Sequence, residues 1–428
     1  MTLVGRSFLH ASDIHFGAPL GALEGCPQLD ESTRRELIDQ MQGAFDRLID
    51  LAIAENVLFV VLAGDVYDSA EAQEGIQGRF QRGLDRLDAA GIHTYIVHGN
   101  HDPLRTGFRP RRALPDSVHI FDVDTPHEFV AAESDGERVM VSGVSFGNRA
   151  VPENLAQRFA TLPIELARWR VGVLHTSLAG SSDHDPYAPC TVDDLRAAPV
   201  GYWALGHIHL RSDQNPLGPG RWWAYPGNLQ GRNFKPAECH PKGAVLVRLT
   251  PDGFAAPEFK ACDTVRFVSV NIAVDEIDHV ADSYSLVADG LVRAADRADG
   301  RRLVVRAVLT GRHASHAEFR RLTMDSTFVD NLLDSFADEI GSTIVAGVTS
   351  AVRPQLDLVD ARTGDSLLAV ALRRLDAMSD DDVSSLAREV VNGGVVDVLR
   401  TSGITAAELR EHTALALVEA IHTAGGDT

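Results

Sequence analysis

The sequence predicts an α/β protein built on central, partly parallel sheets. From Arg6 to about Ala261, strand-like and helix-like segments alternate, a pattern that favours βαβ units. Five apolar runs in this region each end in Asp, Asn or His, and in layered α/β folds ligands collect outside the carboxyl ends of the strands. The later strands lie closer together, which indicates an antiparallel contribution and a mixed sandwich.

The individual elements can be placed in chain order. The strand "RSFLHASD" comes first, followed by an amphipathic stretch from Glu36 to Ala54, the strand "VLFVVLAGD" and a helix from about Ala72 to Ala89. Further strands are predicted at "IHTYIVHGN", "VHIF", "RVMVSGVSF", "WRVGVLHTS" and "YWALGHIH".

A second unit is predicted from Asp263, where "VRFVSVNIAV", "YSLVADGLVRAADRA" and "RRLVVRAVLTG" form a small αβ pattern that ends near Pro354. From Gly364 onward the pattern is helical. We therefore predict a first domain at 1–262, a small αβ cap domain at 263–356 and a helical C-terminal region at 357–428.

Composition and charge limit the class of protein. With 428 residues, 44% of them apolar, the chain is long enough for a large folded core in more than one domain. Its four cysteines form no CxxC pair, which argues against a disulfide framework or a thiolate zinc site. We see no signal peptide and no apolar run of membrane-spanning length. These features predict a soluble cytoplasmic protein with no membrane partner.

A formal net charge of −20 argues against a generic basic nucleic-acid binder. It leaves a nuclease open, because bound cations and local basic segments can make the phosphate contacts. One such segment is "RTGFRPRR", with Arg109, Arg111 and Arg112. A phosphate contact and a solvated charged loop are both open interpretations of it.

The strand ends supply a set of oxygen and nitrogen donors without sulfur: Asp13, His15, Asp65, Asn100, His175, His207 and His209. This set suits Mn²⁺, Fe²⁺ or Zn²⁺ rather than Cu(I). Seven ligands are too many for one tetrahedral ion and suit two ions that share a carboxylate. We expect two divalent ions per chain, Mn²⁺ first and Fe²⁺ or Zn²⁺ as alternatives. Small residues (Gly64, Gly99 and Gly206) beside the ligands would leave room for a phosphate.

Each fragment alone is weak evidence, because "DIH", "GD" and "GHIH" also occur in turns and exposed loops. In combination, the order "DIH", "GDVYD", "GNHD", "H" before "TS" and "GHIH" resembles the calcineurin-like metallophosphoesterase superfamily. The resemblance covers roughly Phe8 to His209. It implies a four-layer β-sandwich flanked by helices.

The resemblance also implies how the ligands are shared. One ion would be held by Asp13, His15, Asp65 and His209. The other would be held by Asp65, Asn100, His175 and His207, with Asp65 as the bridge.

The same resemblance implies catalytic roles for two further residues. His101 would face the substrate and either protonate the leaving oxygen or stabilise the charged phosphorane, and the carboxylate of Asp68 would orient it. We expect Asp102 to brace the loop.

The segment "YPGNLQGRNF", followed by "KGA" and a strand, is similar to the SbcD and YhaO-like DNA repair exonucleases. This branch implies a DNA substrate, a cap domain and an SMC-like or AAA-type ATPase partner. A homodimer and association with the nucleoid are also expected. Arg109, Arg111, Arg112 and Arg232 would grip phosphates beside the one that is cut.

The leading functional hypothesis is a two-metal DNA exonuclease that acts in DNA repair. The alternative is a small-molecule phosphodiesterase or phosphatase of the same superfamily, which the net charge of −20 leaves open. A non-catalytic scaffold is the third interpretation, and the complete ligand set with His101 argues against it.

Overall fold

The structure is a computed structural model that describes residues 2–26, 28–68, 74–105, 112–163, 168–178, 187–324, 326–355, 362–390, 409–410, 413–414 and 417. The chain forms two compact units. The first comprises 1–272, 281–309 and 321–350, and the second comprises 273–280, 310–320 and 351–428.

In the first unit, thirteen of the described strands enter two sheets. They are β1 (Ser7–Ala11), β2 (Phe59–Ala63), β3 (His93–Val97), β4 (Val118–Ile120), β5 (His127–Ser134), β6 (Glu137–Val144), β7 (Trp169–His175), β8 (Tyr202–Gly206), β9 (Ser212–Gly218), β10 (Arg221–Tyr225), β11 (Gly243–Thr250), β12 (Gly253–Phe254) and β13 (Glu258–Ala261). The helices of this part are α1 (Glu31–Ala54), α2 (Glu74–Ala89) and α3 (Val192–Ala197).

Both sheets are mixed, as the spacing of the strands predicted. One has the order β12-β11-β1-β2-β3-β4, with β13 also paired to β11. In it, β1 to β4 are parallel and β11 is antiparallel to β1. The other has the order β5-β6-β7-β8-β10-β9, with parallel strands in the centre and antiparallel pairing at β5 and β9.

The two sheets face each other across an aromatic core. Phe8, Phe59, Tyr95, Trp169 and Tyr202 are fully buried in it. The outer face of the first sheet packs against α1 and α2, and that of the second packs against α3 and a 3₁₀ helix at Leu155–Thr161. Helix, sheet, sheet and helix follow one another, so the predicted four-layer sandwich is confirmed.

Helix α1 begins where Asp30 accepts a hydrogen bond from the main-chain nitrogen of Thr33 at 2.7 Å, an ordinary N-cap. Its buried residues recur at helical spacing and form the apolar face of the helix: Leu37, Met41, Ala44, Phe45, Leu48, Ile49 and Ala52. The amphipathic pattern from Glu36 to Ala54 is therefore this helix, which starts one turn earlier than predicted.

A third, three-stranded sheet follows, with the order β14 (Val265–Ala273), β15 (Arg302–Thr310) and β17 (Ile344–Ser350). The helices α4 (Ser283–Asp296) and α6 (Thr327–Ile340) accompany it, and the rings of Tyr284 and Phe328 stack between them at 4.2 Å. Phe267, Val304 and Ile344 share a core with Leu37 and Met41 of α1. This shared core explains why these strands belong to the first compact unit. The domain boundaries at 262/263 and 356/357 stay a prediction.

The second unit contains a short parallel pair, β16 (Arg312–His313) and β18 (Arg353–Pro354), and the helices α5 (His316–Leu322), α7 (Leu367–Ala377) and α8 (Asp380–Val390). Leu372, Leu375 and Val383 are buried in a small core of their own. The described part of the predicted C-terminal region is thus helical. Within the described residues, no helix has the length and apolar character that a membrane crossing requires.

Candidate metal centre

The strand ends of both sheets carry strained backbone. Asp13, His15 and Asp65 have φ angles of 52°, 50° and 51°, and His207 has a φ of 102°. Residues other than glycine rarely adopt such values, and the strain costs about 1–3 kcal/mol at each position. The main-chain nitrogens of Asp13 and His15 donate to the oxygens of Gly64 and Asp65, at 3.0 Å each. These bonds hold the loop after β1 against the loop after β2, so the surrounding fold fixes the direction of the side chains.

Three of the predicted ligands, Asp13, His15 and His209, place their ligand atoms within 4.8 Å of one another. The Nε2 atoms of His15 and His209 are 3.1 Å apart, and Asp13 Oδ1 lies 3.9 Å and 3.8 Å from them. Asp13 is 1% exposed, so water does not solvate its carboxylate freely.

The tautomers of these two histidines follow from their outer partners. Nδ1 of His15 lies 3.1 Å from Asp68 Oδ1, and Nδ1 of His209 lies 2.7 Å from Glu238 Oε1. A carboxylate oxygen accepts, so both Nδ1 atoms carry a proton, and in the neutral rings both Nε2 atoms present a lone pair. Burial, reinforced by the charge of Arg232, lowers the pKa of His15 and keeps its ring neutral. Two lone pairs that face each other at 3.1 Å repel unless a cation lies between them.

A second convergence of acceptors lies at the ends of β2, β3 and β7. His175 Nδ1 donates to the main-chain oxygen of Ala63 at 2.9 Å, which leaves the lone pair on Nε2 of the neutral ring. That atom lies 3.0 Å from Asn100 Oδ1 and 3.4 Å from Asp65 Oδ2. Burial alone would lower the pKa of His175, but the charge of Asp65 raises it to about 9. The site therefore favours a positive charge at this point.

His207 joins the two groups. Its main-chain nitrogen donates to both carboxylate oxygens of Asp13, at 3.2 Å and 3.0 Å, and its ring centroid lies 5.2 Å from that of His175. Asp13, Asp65 and His175 also form a set of ligand atoms within 4.8 Å of one another. The fold thus brings all seven predicted ligand residues to one edge of the sandwich.

His101 lies beside this set, and Asp68 holds it differently from the prediction. Its Nδ1 lies 2.9 Å from the main-chain oxygen of Asp68 and 3.9 Å from the carboxylate. The Asp68 carboxylate instead contacts His15 and, at 3.2 Å, Nη1 of Arg232. Asp102 is fully buried and accepts main-chain hydrogen bonds from Val66, Tyr67 and Gly99. These bonds brace the loop, which is the role predicted for it.

The predicted phosphate-binding arginines separate into two groups. Arg232 is brought to the edge of the cluster by its contact with Asp68. Arg112 is exposed, and Arg109 and Arg111 lie outside the described residues.

Glu238 was missed by sequence reasoning. It is 3% exposed, and besides His209 it accepts from Asn228 Nδ2 at 2.8 Å and from the main-chain nitrogen of Arg232 at 3.1 Å. Burial would raise its pKa, but its hydrogen bond and charge interaction with His209 lower the pKa to about 2. No pattern in "PAECHPKG" marks this glutamate, because it follows no strand and only the fold brings it to His209.

The glycines beside the ligands make room for the ligands themselves. A Cβ atom added at Gly64 would overlap the ring of His175, and one at Gly99 would overlap the carboxylate of Asp65. At Gly206 it would overlap the main-chain oxygen of Ala63. Close approach of the strand ends therefore requires these three positions to lack a side chain.

The cluster fits divalent cations. Its ligand atoms are carboxylate and amide oxygens and imidazole nitrogens, and the outer ring nitrogens are held by Asp68, Glu238 and a main-chain oxygen. Such partners orient histidine ligands in metal sites. The opposed lone pairs of His15 and His209 are the specific indication that a cation belongs here.

Two family models match this chain. Residues 6–211 match the family model described as calcineurin-like phosphoesterase, and residues 267–353 match that described as the middle domain of metallophosphoesterase YhaO. The chain is 34% identical over 310 residues to the uncharacterized metallophosphoesterase YhaO of Bacillus subtilis (strain 168), covering 72% of each chain.

Two further relatives are named as a DNA repair protein and as a subunit of a nuclease. The DNA double-strand break repair protein Mre11 of Sulfurisphaera tokodaii is 27% identical over 256 residues, which cover 57% of this chain and 60% of the relative. The SbcD component of the nuclease SbcCD of Bacillus subtilis is 23% identical over 236 residues, covering 47% and 56%.

Proposed function

The chain belongs to the calcineurin-like phosphoesterase family, in the branch of SbcD and YhaO, and we propose that it is a two-metal phosphodiesterase that acts on DNA as an exonuclease in repair. Membership of this family makes it a metal-dependent phosphoesterase. Cleavage of DNA and a role in DNA repair are the part of this function that we propose.

One observation carries the metal-dependent chemistry: Nε2 of His15 and Nε2 of His209 face each other at 3.1 Å with both outer nitrogens occupied by carboxylates. Asp13, His15, Asp65 and His209 would hold one ion, and Asp65, Asn100, His175 and His207 the other. When bound, the two ions polarise the phosphate, activate the attacking water and neutralise the charge that develops. Mn²⁺ is the proposed metal, with Fe²⁺ or Zn²⁺ as alternatives, because a set of oxygen and nitrogen donors without sulfur suits these ions.

His101 would supply the proton to the leaving oxygen. Its Nδ1–H is donated to the main-chain oxygen of Asp68 at 2.9 Å, so the opposite ring nitrogen is the one available to substrate. The ring is partly exposed, whereas the rings of His15 and His175 are buried. A general acid must reach the substrate from the open side of the cluster, and the placement of His101 supports that role.

DNA as the substrate is supported by the names of the relatives, one a double-strand break repair protein and one a component of a nuclease. It is also supported by Arg232, a cation at the rim of the cluster. Together with Arg109, Arg111 and Arg112, this side chain would contact phosphates that flank the one being cut. An ATPase partner of SMC or AAA type, a homodimer and a place at the nucleoid in the cytoplasm are further parts of the proposal.

A small-molecule phosphodiesterase is the second candidate. The net charge of −20 favours it, because a long polyanion is repelled by most of such a surface.

A digestion panel tests the proposal. Linear duplex DNA, single-stranded DNA and bis(p-nitrophenyl) phosphate are incubated with Mn²⁺, Mg²⁺ or EDTA. We expect mononucleotides to be released from DNA with Mn²⁺ and no reaction in EDTA. The Asp65→Asn variant controls for contaminating nuclease. Efficient cleavage of the small diester without any cleavage of DNA would establish the second candidate instead.

A further inference from the structure

A cavity of about 240 Å³ adjoins the metal centre. His15 and Arg232 form part of its wall and also belong to the cluster or its rim. The cavity lies between α1 and the loop that follows β1, within the first compact unit. A ligand group in this cavity and a phosphate bound at the cluster would therefore contact the same two residues, His15 and Arg232.

The lining of the cavity is mostly apolar and includes two phenylalanine rings. The rings of Phe16 and Phe45 lie with their centroids 5.3 Å apart and both line it, together with Ile38 and Met41. Phosphate or sugar alone would gain little from these walls, since burial of a polar group without hydrogen bonds is unfavourable. A flat, apolar-faced group with polar edges fits them better.

The wall of this cavity includes one cation, Arg232. Arg232 Nη1 contacts Asp68, while its Nε is buried and has no hydrogen-bond partner among the described residues. The other guanidinium nitrogens are also donors, so a ligand acceptor that contacts Arg232 from the cavity gains a charge-assisted hydrogen bond. The phosphate or the base edge of a nucleotide offers such an acceptor.

We propose that this cavity binds the nucleobase of a nucleotide next to the scissile phosphate. The proposal rests on the function proposed above and names one of its substrate contacts. A volume of about 240 Å³ is below the roughly 300–1,000 Å³ typical of sites for drug-sized ligands, and it suits a single base better than a longer segment. Contact with aromatic rings tolerates any base, because every base has a π face. The cavity thus gives affinity without sequence preference.

The test compares two ligands that differ by the base. Binding of thymidine 5′-monophosphate and of 2-deoxyribose 5-phosphate to the full chain is measured by calorimetry. We expect the nucleotide to bind at least about tenfold more tightly, the order expected for one stacked base. In Ile38→Trp, which fills the cavity from α1, the two ligands should bind within about twofold of each other.

Ile53→Trp is the matched control, because Ile53 lies on the same helix, is 37% exposed and does not line the cavity. This variant should bind the nucleotide more tightly than the sugar phosphate, as the parent does. Ala18→Leu, which narrows the cavity from the loop, provides a second variant should Ile38→Trp unfold. Thermal melting followed by circular dichroism establishes which variants are folded.

Equal binding of the two ligands by the parent, binding of neither at millimolar concentration, or a base preference that survives in both filled variants would overturn the proposal. These measurements involve no hydrolysis. Base-dependent binding in a protein that never cuts DNA would refute the proposed function and leave the cavity assignment standing. DNA cleavage together with equal binding of the two ligands would refute the cavity assignment and leave the proposed function standing.

Discussion

The imidazole of His101 is held by the main-chain oxygen of Asp68, 2.9 Å from its Nδ1, and its distance to the carboxylate of the same residue is 3.9 Å. The carboxylate is engaged by His15 and Arg232 instead. Asp68 therefore connects the metal cluster to the residue proposed as the general acid through two different groups. A change of its side chain would disturb His15 more than His101.

His101→Ala should leave metal content nearly intact and lower hydrolysis about 10²–10⁴-fold, the usual contribution of a positioned acid or base. The reason is that its ring lies beside the convergent ligand atoms and is held by a main-chain oxygen. Elemental analysis of the purified variant, together with kcat on a small diester, checks this. His127→Ala, an exposed position on β5, is the control. Loss of one ion per chain would make His101 a ligand.

Asp65→Asn should abolish both tight Mn²⁺ sites and all hydrolysis. Asp65 Oδ2 lies 3.7 Å from His15 Nε2 and 3.4 Å from His175 Nε2, between the two groups of donors. Without a shared negative charge, two divalent cations repel each other. Calorimetric titration with Mn²⁺ measures the loss, and Asp85→Asn on the exposed face of α2 serves as the control. Two tight sites remaining in Asp65→Asn would contradict the bridging role.

Glu238→Gln should weaken metal affinity about 10–100-fold, the effect typical of removing an outer partner of a histidine ligand. Glu238 accepts from three donors: His209, Asn228 and the Arg232 main chain. Both carboxylate oxygens of Glu238 accept hydrogen bonds, so in either orientation the NH₂ group of Gln would face an N–H donor. Titration with Mn²⁺ followed by calorimetry reports the change. Glu258→Gln, an exposed glutamate paired with Lys260, should behave as the parent does.

Gly99→Ala should reduce metal binding without any change of a ligand residue. The added Cβ overlaps the carboxylate of Asp65, which must move, and a ligand displaced by about 0.5 Å or more no longer fits a preorganised site. Gly75→Ala, at an exposed helical position with open space around the Cβ, is the matched control and should be neutral or slightly stabilising. Equal Mn²⁺ affinity in the two variants would show that the loop adapts.

His10 predicts an acid-dependent loss of stability. Burial lowers its pKa from 6.5 to about 3, opposed by a hydrogen bond with the main chain of Leu205. Between pH 6.5 and 3, His10 is protonated in the unfolded chain and neutral in the folded chain. The free energy of unfolding is therefore highest above pH 6.5 and falls as the pH drops toward 3. The slope is at most about 1.4 kcal/mol per pH unit. Urea midpoints at pH 6.5 and 5.5 should differ less for His10→Gln than for the parent. The same pH dependence of the urea midpoint in both proteins would show that His10 does not cause the loss of stability.

The α/β fold class, and the polar residues that converge at one edge of the sheets, were predictable from the sequence because both follow from local pattern. Strand periodicity and the abrupt change from apolar residues to Asp, Asn or His marked the strand ends, from Asp13 to His209. Parallel strands carry their carboxyl ends to one edge, so side chains far apart in sequence had to meet there.

Tertiary structure decided what depends on distance between unrelated segments. Glu238 follows no strand, and its proximity to His209 is set by the packing of the loop around it. The choice of the Asp68 main chain over its carboxylate as the partner of His101 depends on differences of about an ångström. Likewise, the cavity between α1 and the loop after β1 results from incomplete packing of these elements against each other. Residue type and spacing specify which groups converge, and only packing in three dimensions fixes which of their atoms touch.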